Sequence, residues 1–227
     1  MDLFECDNDV DLACELAPEI AGAEDGLEHD VLCSFGHLKY PGHDGTINNV
    51  RKAEENSVLG GLRQKLDAGL GDSLFRKYRG LAEACGDAWV KHEAQYKVII
   101  LGALMMGTGA KINAHDIQHL RHLASVVQSN EHFTLPFADT GFRGPSKRQF
   151  LAALDNYQPG TPRDYNQPSC HACGKSRQDT EKPLFKCGGC MDTFAVAWFC
   201  DRDCQKSVWS IHKPNCGANR NSISINV

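Results

Sequence analysis

Seven of the 11 cysteines fall in the last third of the chain, with one histidine, at regular intervals. The order is Cys170-x2-Cys173, thirteen residues, Cys187-x2-Cys190, nine residues, Cys200-x3-Cys204, seven residues, His212-x3-Cys216. A Cys-x2-Cys pair on a tight turn aims two sulfurs at one ion, and Gly174, Gly188 and Gly189 offer the permissive backbone such turns use. The x3 pairs are i, i+4 on a helix, so both ligands emerge on one face, with Asp201 as a candidate N-cap. Eight such ligands make two closed tetrahedral sites with no position left for water, and closed sites hold a fold together rather than catalyse. The chemistry predicted is two structural zinc ions. The spacings match no common ferredoxin pattern, and one ligand is His, which disfavours iron–sulfur clusters. Spacing alone leaves the pairing open: first four with last four, or interleaved.

Three further residues stand at fixed places around these ligands: Phe199 before Cys200, Gln205 directly after Cys204, and Trp209 five residues after Cys204. Together with the spacings they resemble a MYND-type zinc finger over residues 170–216, 47 of the 227, with all eight ligand positions filled. The resemblance implies a cross-braced pairing, in which Cys170, Cys173, Cys200 and Cys204 hold one zinc and Cys187, Cys190, His212 and Cys216 the other. It also implies a module that binds proteins through short proline-rich segments, with Gln205 and Trp209 at the peptide-contacting positions. The chemistry suits that role, because an indole face packs on a preformed polyproline II ridge and a side-chain amide bonds its carbonyls. The other reading of Trp209 is core packing in a small module, and Trp198 and Phe199 read as structural. His171, inside the first knuckle, is not needed as a ligand and is expected to be exposed.

A finger of this length buries too little apolar surface to stand alone. Metal binding then supplies the folding energy, roughly 10–16 kcal/mol apparent per structural zinc at neutral pH.

The elements that lead into this region read as helices. Residues 1–46 form an acidic, largely irregular N-terminal segment with at most a short helix around Val10–Leu16. A helical domain is expected over 47–157, a Pro-rich linker over 158–169, the finger over 170–216 and a tail over 217–227. Within the helical domain Leu59, Leu62, Leu66, Leu70 and Leu74 recur at three and four residues, interrupted by Gly60, Gly61, Gly69 and Gly71. The clearest helix starts at Asp87 as N-cap, runs through the apolar stretch 98–106 and stops at Gly107 and Gly109. Apolar nearly all round at its centre, it should be the buried helix. The next opens at Asn113, runs to about Ser129 and turns Ile117, Leu120, Ala124 and Val127 to one face. Another opens at Pro145 and buries Phe150, Leu151 and Leu154. The fold class expected is mainly α, a small helical domain followed by a small cross-braced two-zinc finger. The helical region loosely resembles that of fungal proteins carrying this finger.

Charge and motifs narrow the function. Residues 1–30 hold eleven acids and no Lys or Arg, so the net −5 hides a mildly basic remainder. Residues 165–227 carry eight Lys or Arg against five acids, but seven thiolates and two zinc ions bring the finger near neutrality. Without a concentrated basic footprint or a C2H2-like recognition helix, nucleic acid is a disfavoured partner. No stretch approaches the ~20 apolar residues of a membrane span, and the N-terminus lacks the apolar core of a signal peptide. With clustered thiols this points to an intracellular protein of the nucleus and/or cytoplasm. The chain lacks the Asn-His-Ser-Cys stretch of SET methyltransferases, the His-x-Asp of an iron facial triad, a P-loop and a Gly-x-Ser-x-Gly. His115, His119 and His122 make a stripe about 120° away from the apolar face, which reads as a solvated surface rather than a metal seat. The expected function is a non-enzymatic zinc-binding adaptor, with transcriptional regulation as its setting. An enzyme of unrecognised type in the helical region, with the finger for targeting, and a nucleic-acid-binding regulator are the alternatives.

Overall fold

A computed structural model describes residues 7–22, 26–37, 49–127, 129–130, 142–190 and 196–217. The expected irregular stretch around Pro41–Gly45 and the C-terminal tail lie outside the described residues. Two compact units emerge. One gathers the helices up to residue 127 together with 157–166; the other gathers 128–156 and the finger region from 167.

The first unit is built around helix α5 (Ala88–Thr108), which is buried without interruption from Val98 to Thr108. Its limits follow local chemistry. Asp87 accepts from the backbone N–H of Trp89 at 2.8 Å and of Val90 at 3.0 Å, satisfying two orphan donors of the first turn. Gly109 closes the other end at φ 73°, the left-handed conformation of a helix stop. Helices α3 (Asn49–Lys65) and α4 (Gly71–Ala84) precede it, joined through a π turn at Leu66–Leu70 in which Gly69 has φ 110°. Leu62, Leu66 and Leu74 of the leucine series are buried, and Leu59 and Leu70 are half-buried. Helix α6 (Ala114–Val126) begins with Asn113 Oδ1 accepting from the Asp116 N–H at 2.9 Å. It stops short of the expected Ser129 and seats Leu120 against Gly102 of α5, where a Cβ would come within 2.7 Å of Leu120.

The N-terminal stretch departs from the sequence reading. Where residues 1–46 read as largely irregular, the structure forms helix α1 (Asp7–Ala21) and helix α2 (Leu27–His37). Leu12, Leu16 and Ile20, four residues apart, join Ala13 and Ala17 in one buried face. Three of the acids meet bases of later helices. Glu15 pairs with Lys97 at 2.9 Å, Glu19 with Lys77 at 2.6 Å, and Glu28 with Lys65.

Tyr157 and residues 158–166 of the expected 158–169 linker pack on the end of α5. Tyr157 Oη donates to the Ala110 carbonyl (2.6 Å) and accepts from the Ile112 N–H (2.8 Å). The Arg163 N–H donates to the Met106 carbonyl at 2.8 Å, and at Gly109 a Cβ would lie 3.0 Å from the Pro162 nitrogen.

The second unit opens with a short parallel pairing of β1 (Ser129–Asn130) with β2 (Phe142–Arg143) and helix α7 (Gly144–Asp155). By periodicity α7 continues the helical region, yet it clusters with the finger. It buries Phe150 and Leu154, whereas Leu151 is only half-buried. The finger itself pairs β3 (Phe185–Lys186) antiparallel with β4 (Trp198–Phe199) in the register Phe185↔Phe199 and Lys186↔Trp198. Short helices α8 (Arg177–Thr180), α9 (Arg202–Ser207) and α10 (Trp209–His212) complete it.

Candidate metal centre

The first knuckle is set by backbone geometry. The Cys170 N–H donates to the Lys175 carbonyl at 2.8 Å and the Gly174 N–H to the Cys170 carbonyl at 2.7 Å, folding Cys170 and Cys173 toward the same point. Gly174 sits at φ 75°, and a Cβ there would lie 1.9 Å from the Arg148 carbonyl oxygen of α7. Only glycine satisfies both demands. The second knuckle is a 3-10 turn over Gly188–Cys190 that follows β3, closed by the Cys190 N–H on the Cys187 carbonyl at 3.0 Å.

The x3 pairs differ from the expectation that each shares one helical face. Cys200 follows β4 and precedes the cap, while Cys204 lies in the first turn of α9. Between them Asp201 is extended and its Oδ1 accepts from the Cys204 N–H at 2.8 Å, so the cap that starts the helix also fixes the ligand. His212 ends α10, and Cys216 follows the 3-10 turn Lys213–Asn215 in an extended conformation. Turns and the ends of short strands and helices, rather than one helix surface, converge on each centre.

Two clusters result, Cys170 with Cys173, Cys200 and Cys204, and Cys187 with Cys190, His212 and Cys216. Within each, the ligand atoms lie within 4.8 Å of one another. The pairing is therefore interleaved, and first-four-with-last-four is excluded. The second cluster is buried throughout; in the first only Cys170 is, the other three being half-buried.

The spacing within the clusters tests the metal. A tetrahedron with Zn–S near 2.3 Å has sulfur–sulfur edges of about 3.8 Å, and sulfur–nitrogen edges of about 3.6 Å. Cys173 Sγ is 3.5 Å from Cys200 Sγ, Cys187 Sγ 3.9 Å and Cys190 Sγ 3.6 Å from Cys216 Sγ. His212 Nε2 is 3.4 Å from Cys187 Sγ and 3.6 Å from Cys190 Sγ. These are the edges of coordination tetrahedra and far too long for disulfides. Bound there, zinc would cross-link two chain segments at each centre through four ligands.

Titration behaviour agrees with a cation site. The Cys173 hydrogen bond draws the Cys170 thiol down to about 5 against the opposing effect of burial. Burial and the charge on Cys170 push Cys204 up to about 12. A cluster that takes one negative charge readily and resists the next needs a cation to become fully deprotonated. In the second cluster burial lowers the His212 pKa, which favours the neutral imidazole that a metal requires.

Other residues fall differently from expectation. His171 is buried, not exposed: its Nδ1 accepts from the Trp198 N–H at 3.2 Å and its ring lies 6.0 Å from that of Phe199. Phe199 in turn meets His212 edge-on at 5.7 Å, filling the space between the first knuckle and the second centre. Arg148, which sequence reasoning did not single out, donates from Nε to the His171 carbonyl at 2.8 Å. Nothing in its spacing signals this, 22 positions ahead of Cys170. Among the described residues His115, His119 and His122 converge on no metal cluster. His115 is exposed, while its neighbour Asp116 is buried against Arg79 at 2.8 Å.

Residues 170–216 match the family model of the MYND finger. No curated protein and no solved structure matches the chain. The C-terminal region is thus a MYND finger, a non-catalytic zinc-binding protein-interaction module with two clusters that fit two zinc ions. No helix among the described residues is long and apolar enough to cross a membrane.

Proposed function

We propose that the chain is a non-enzymatic intracellular adaptor whose finger docks short proline-rich protein segments across Trp209 and Gln205, in the setting of transcriptional regulation. The exposure of Trp209 carries this reading. Its ring centroid lies 5.7 Å from that of His212, yet the side chain is 40% exposed. The residue packs against a metal ligand and still leaves much of its surface to solvent, more than packing alone requires. A polyproline II segment presents a rigid apolar ridge that stacks on such a face at low entropic cost, and carbonyls that a side-chain amide can bond. Near-neutral charge over the finger favours a peptide over nucleic acid as the ligand.

The test is Trp209→Ala in the full chain, titrated calorimetrically with proline-rich peptides. Zinc content should stay at two per chain while peptide binding is lost. Unchanged binding with both metals retained would reject the assignment.

A further inference from the structure

Gln205 is placed between the two metal centres by the fold. Its backbone directly follows Cys204, a member of the four-cysteine cluster, and its own N–H closes the first turn of α9 on the Asp201 carbonyl at 3.2 Å. Its side chain reaches the other way: Nε2 donates to Cys187 Sγ, a member of the three-cysteine cluster, at 3.6 Å. The direction of the bond follows from chemistry. A metal-bound thiolate only accepts, so the amide must present its nitrogen rather than its oxygen. The Cys187 backbone N–H is already used by the Ala197 carbonyl at 2.8 Å.

We infer that Gln205 is a strut between the two centres, positioning and partly neutralising the Cys187 thiolate and so slowing loss of metal from the three-cysteine centre. Three thiolates and a dication leave that centre with a net negative charge concentrated on sulfur. An N–H···S hydrogen bond withdraws part of that charge and makes the sulfur a poorer target for protons or competing metals. Outer-shell partners of this kind typically change metal affinity by 10–100-fold. The inference is independent of the peptide reading. The amide keeps its second hydrogen and its carbonyl for a ligand, and the test below uses no peptide.

The experiment compares the zinc-loaded full chain with Gln205→Met, which keeps length and helix preference without a donor, and Gln205→Lys, which keeps an N–H donor. Stepwise zinc transfer to a competing chelator is followed by native mass spectrometry. Exchange of zinc for cadmium-113 gives the three-sulfur and four-sulfur centres separate resonances. In Gln205→Met the three-cysteine centre should release zinc roughly tenfold faster and its cadmium resonance should move. The four-cysteine centre should keep its rate and resonance, and Gln205→Lys should release metal at close to the wild-type rate. Equal acceleration at both centres would reduce Gln205 to a packing residue of α9 and overturn the inference, as would no change at either. Should Gln205→Met fail to fold, Gln205→Lys decides. Release near the wild-type rate supports the strut, and faster release from the three-cysteine centre overturns it.

Discussion

Arg148 and His171 are joined by a hydrogen bond from guanidinium Nε to a backbone carbonyl, 2.8 Å long, that ties α7 to the first zinc knuckle. The contact continues at Gly174, whose Cα faces the Arg148 carbonyl so closely that no side chain fits. Helix α7 thereby becomes part of the finger's folding unit, although its last residue, Asp155, precedes the first ligand by 15 positions.

Gly174→Ala should therefore be among the most damaging single substitutions in the finger. It adds a left-handed backbone penalty of roughly 1 kcal/mol to a main-chain clash that only displacement of α7 can relieve. The expected result is loss of more than about 2 kcal/mol of finger stability and weaker zinc retention, read by thermal melting and metal analysis. Arg148→Ala leaves the His171 carbonyl without its charged donor and should cost about 1.5–3 kcal/mol. If both variants melt like the wild type, the docking of α7 contributes nothing to the finger.

Removal of zinc should affect the two units differently. Without the cation the cysteines take up protons and the cross-links are lost, and among the described residues the finger's apolar core is small: Phe199, Ala197 and four of the cysteines, with Ala172, Leu184 and Val208 packed against them. Excess strong chelator is expected to unfold 170–216, loosening α7 with it. The signal of α1–α6, centred on the apolar α5, should persist in far-ultraviolet circular dichroism. Finger amides that stay protected from hydrogen exchange after confirmed zinc loss would contradict this.

How far the sequence was legible depended on whether the deciding interaction was local. Asp87, Asn113 and Gly109 act within one turn of their own helices, so α5 and α6 could be placed from composition alone. The zinc ligands were equally plain, because metal chemistry restricts residue type and spacing together. The acidic lead is not legible in the same way, because its helices depend on distant partners. Nothing near Glu19 in sequence announces Lys77, 58 residues away, nor does Glu15 announce Lys97. The burial of His171 is hidden for the same reason. A polar residue between two ligands looks exposed until β4 brings Trp198 against it.

The ion pair of half-buried Arg79 with buried Asp116 offers a second test of the helical unit. Asp116 is 2% exposed and is held by Arg79 Nη2 at 2.8 Å and by Asn113 Nδ2 at 2.7 Å, joining α4 to the start of α6. Arg79→Met leaves a carboxylate buried without its cation and should destabilise the unit by about 3–5 kcal/mol in urea. Replacing both, Arg79→Met with Asp116→Leu, should recover a large part of that loss, since an apolar pair avoids the desolvation cost. A double variant as unstable as the two single losses added together would show that the charges stabilise the fold on their own.

The last prediction concerns pH and Glu19 of α1. Burial alone would raise its pKa, but hydrogen bonds from Lys77 at 2.6 Å and Tyr78 Oη at 2.5 Å, with the nearby Lys77 and Lys97 charges, outweigh it and leave the carboxylate below 4.5. A depressed carboxylate stabilises the folded state above its unfolded pKa, because there the unfolded chain competes for no proton. As pH falls from about 4.5 through the lower folded value, the folded state resists protonation that the unfolded state accepts, and the contribution disappears. Glu19→Gln should thus cost about 1 kcal/mol at pH 7, in line with a part-exposed ion pair and one hydrogen bond. Its deficit should shrink steadily below pH 4.5 until the two proteins unfold alike. Denaturant titrations of both across pH 3–7 measure this, and a deficit that stays constant over the range would mean that Glu19 acts through packing and not through its charge.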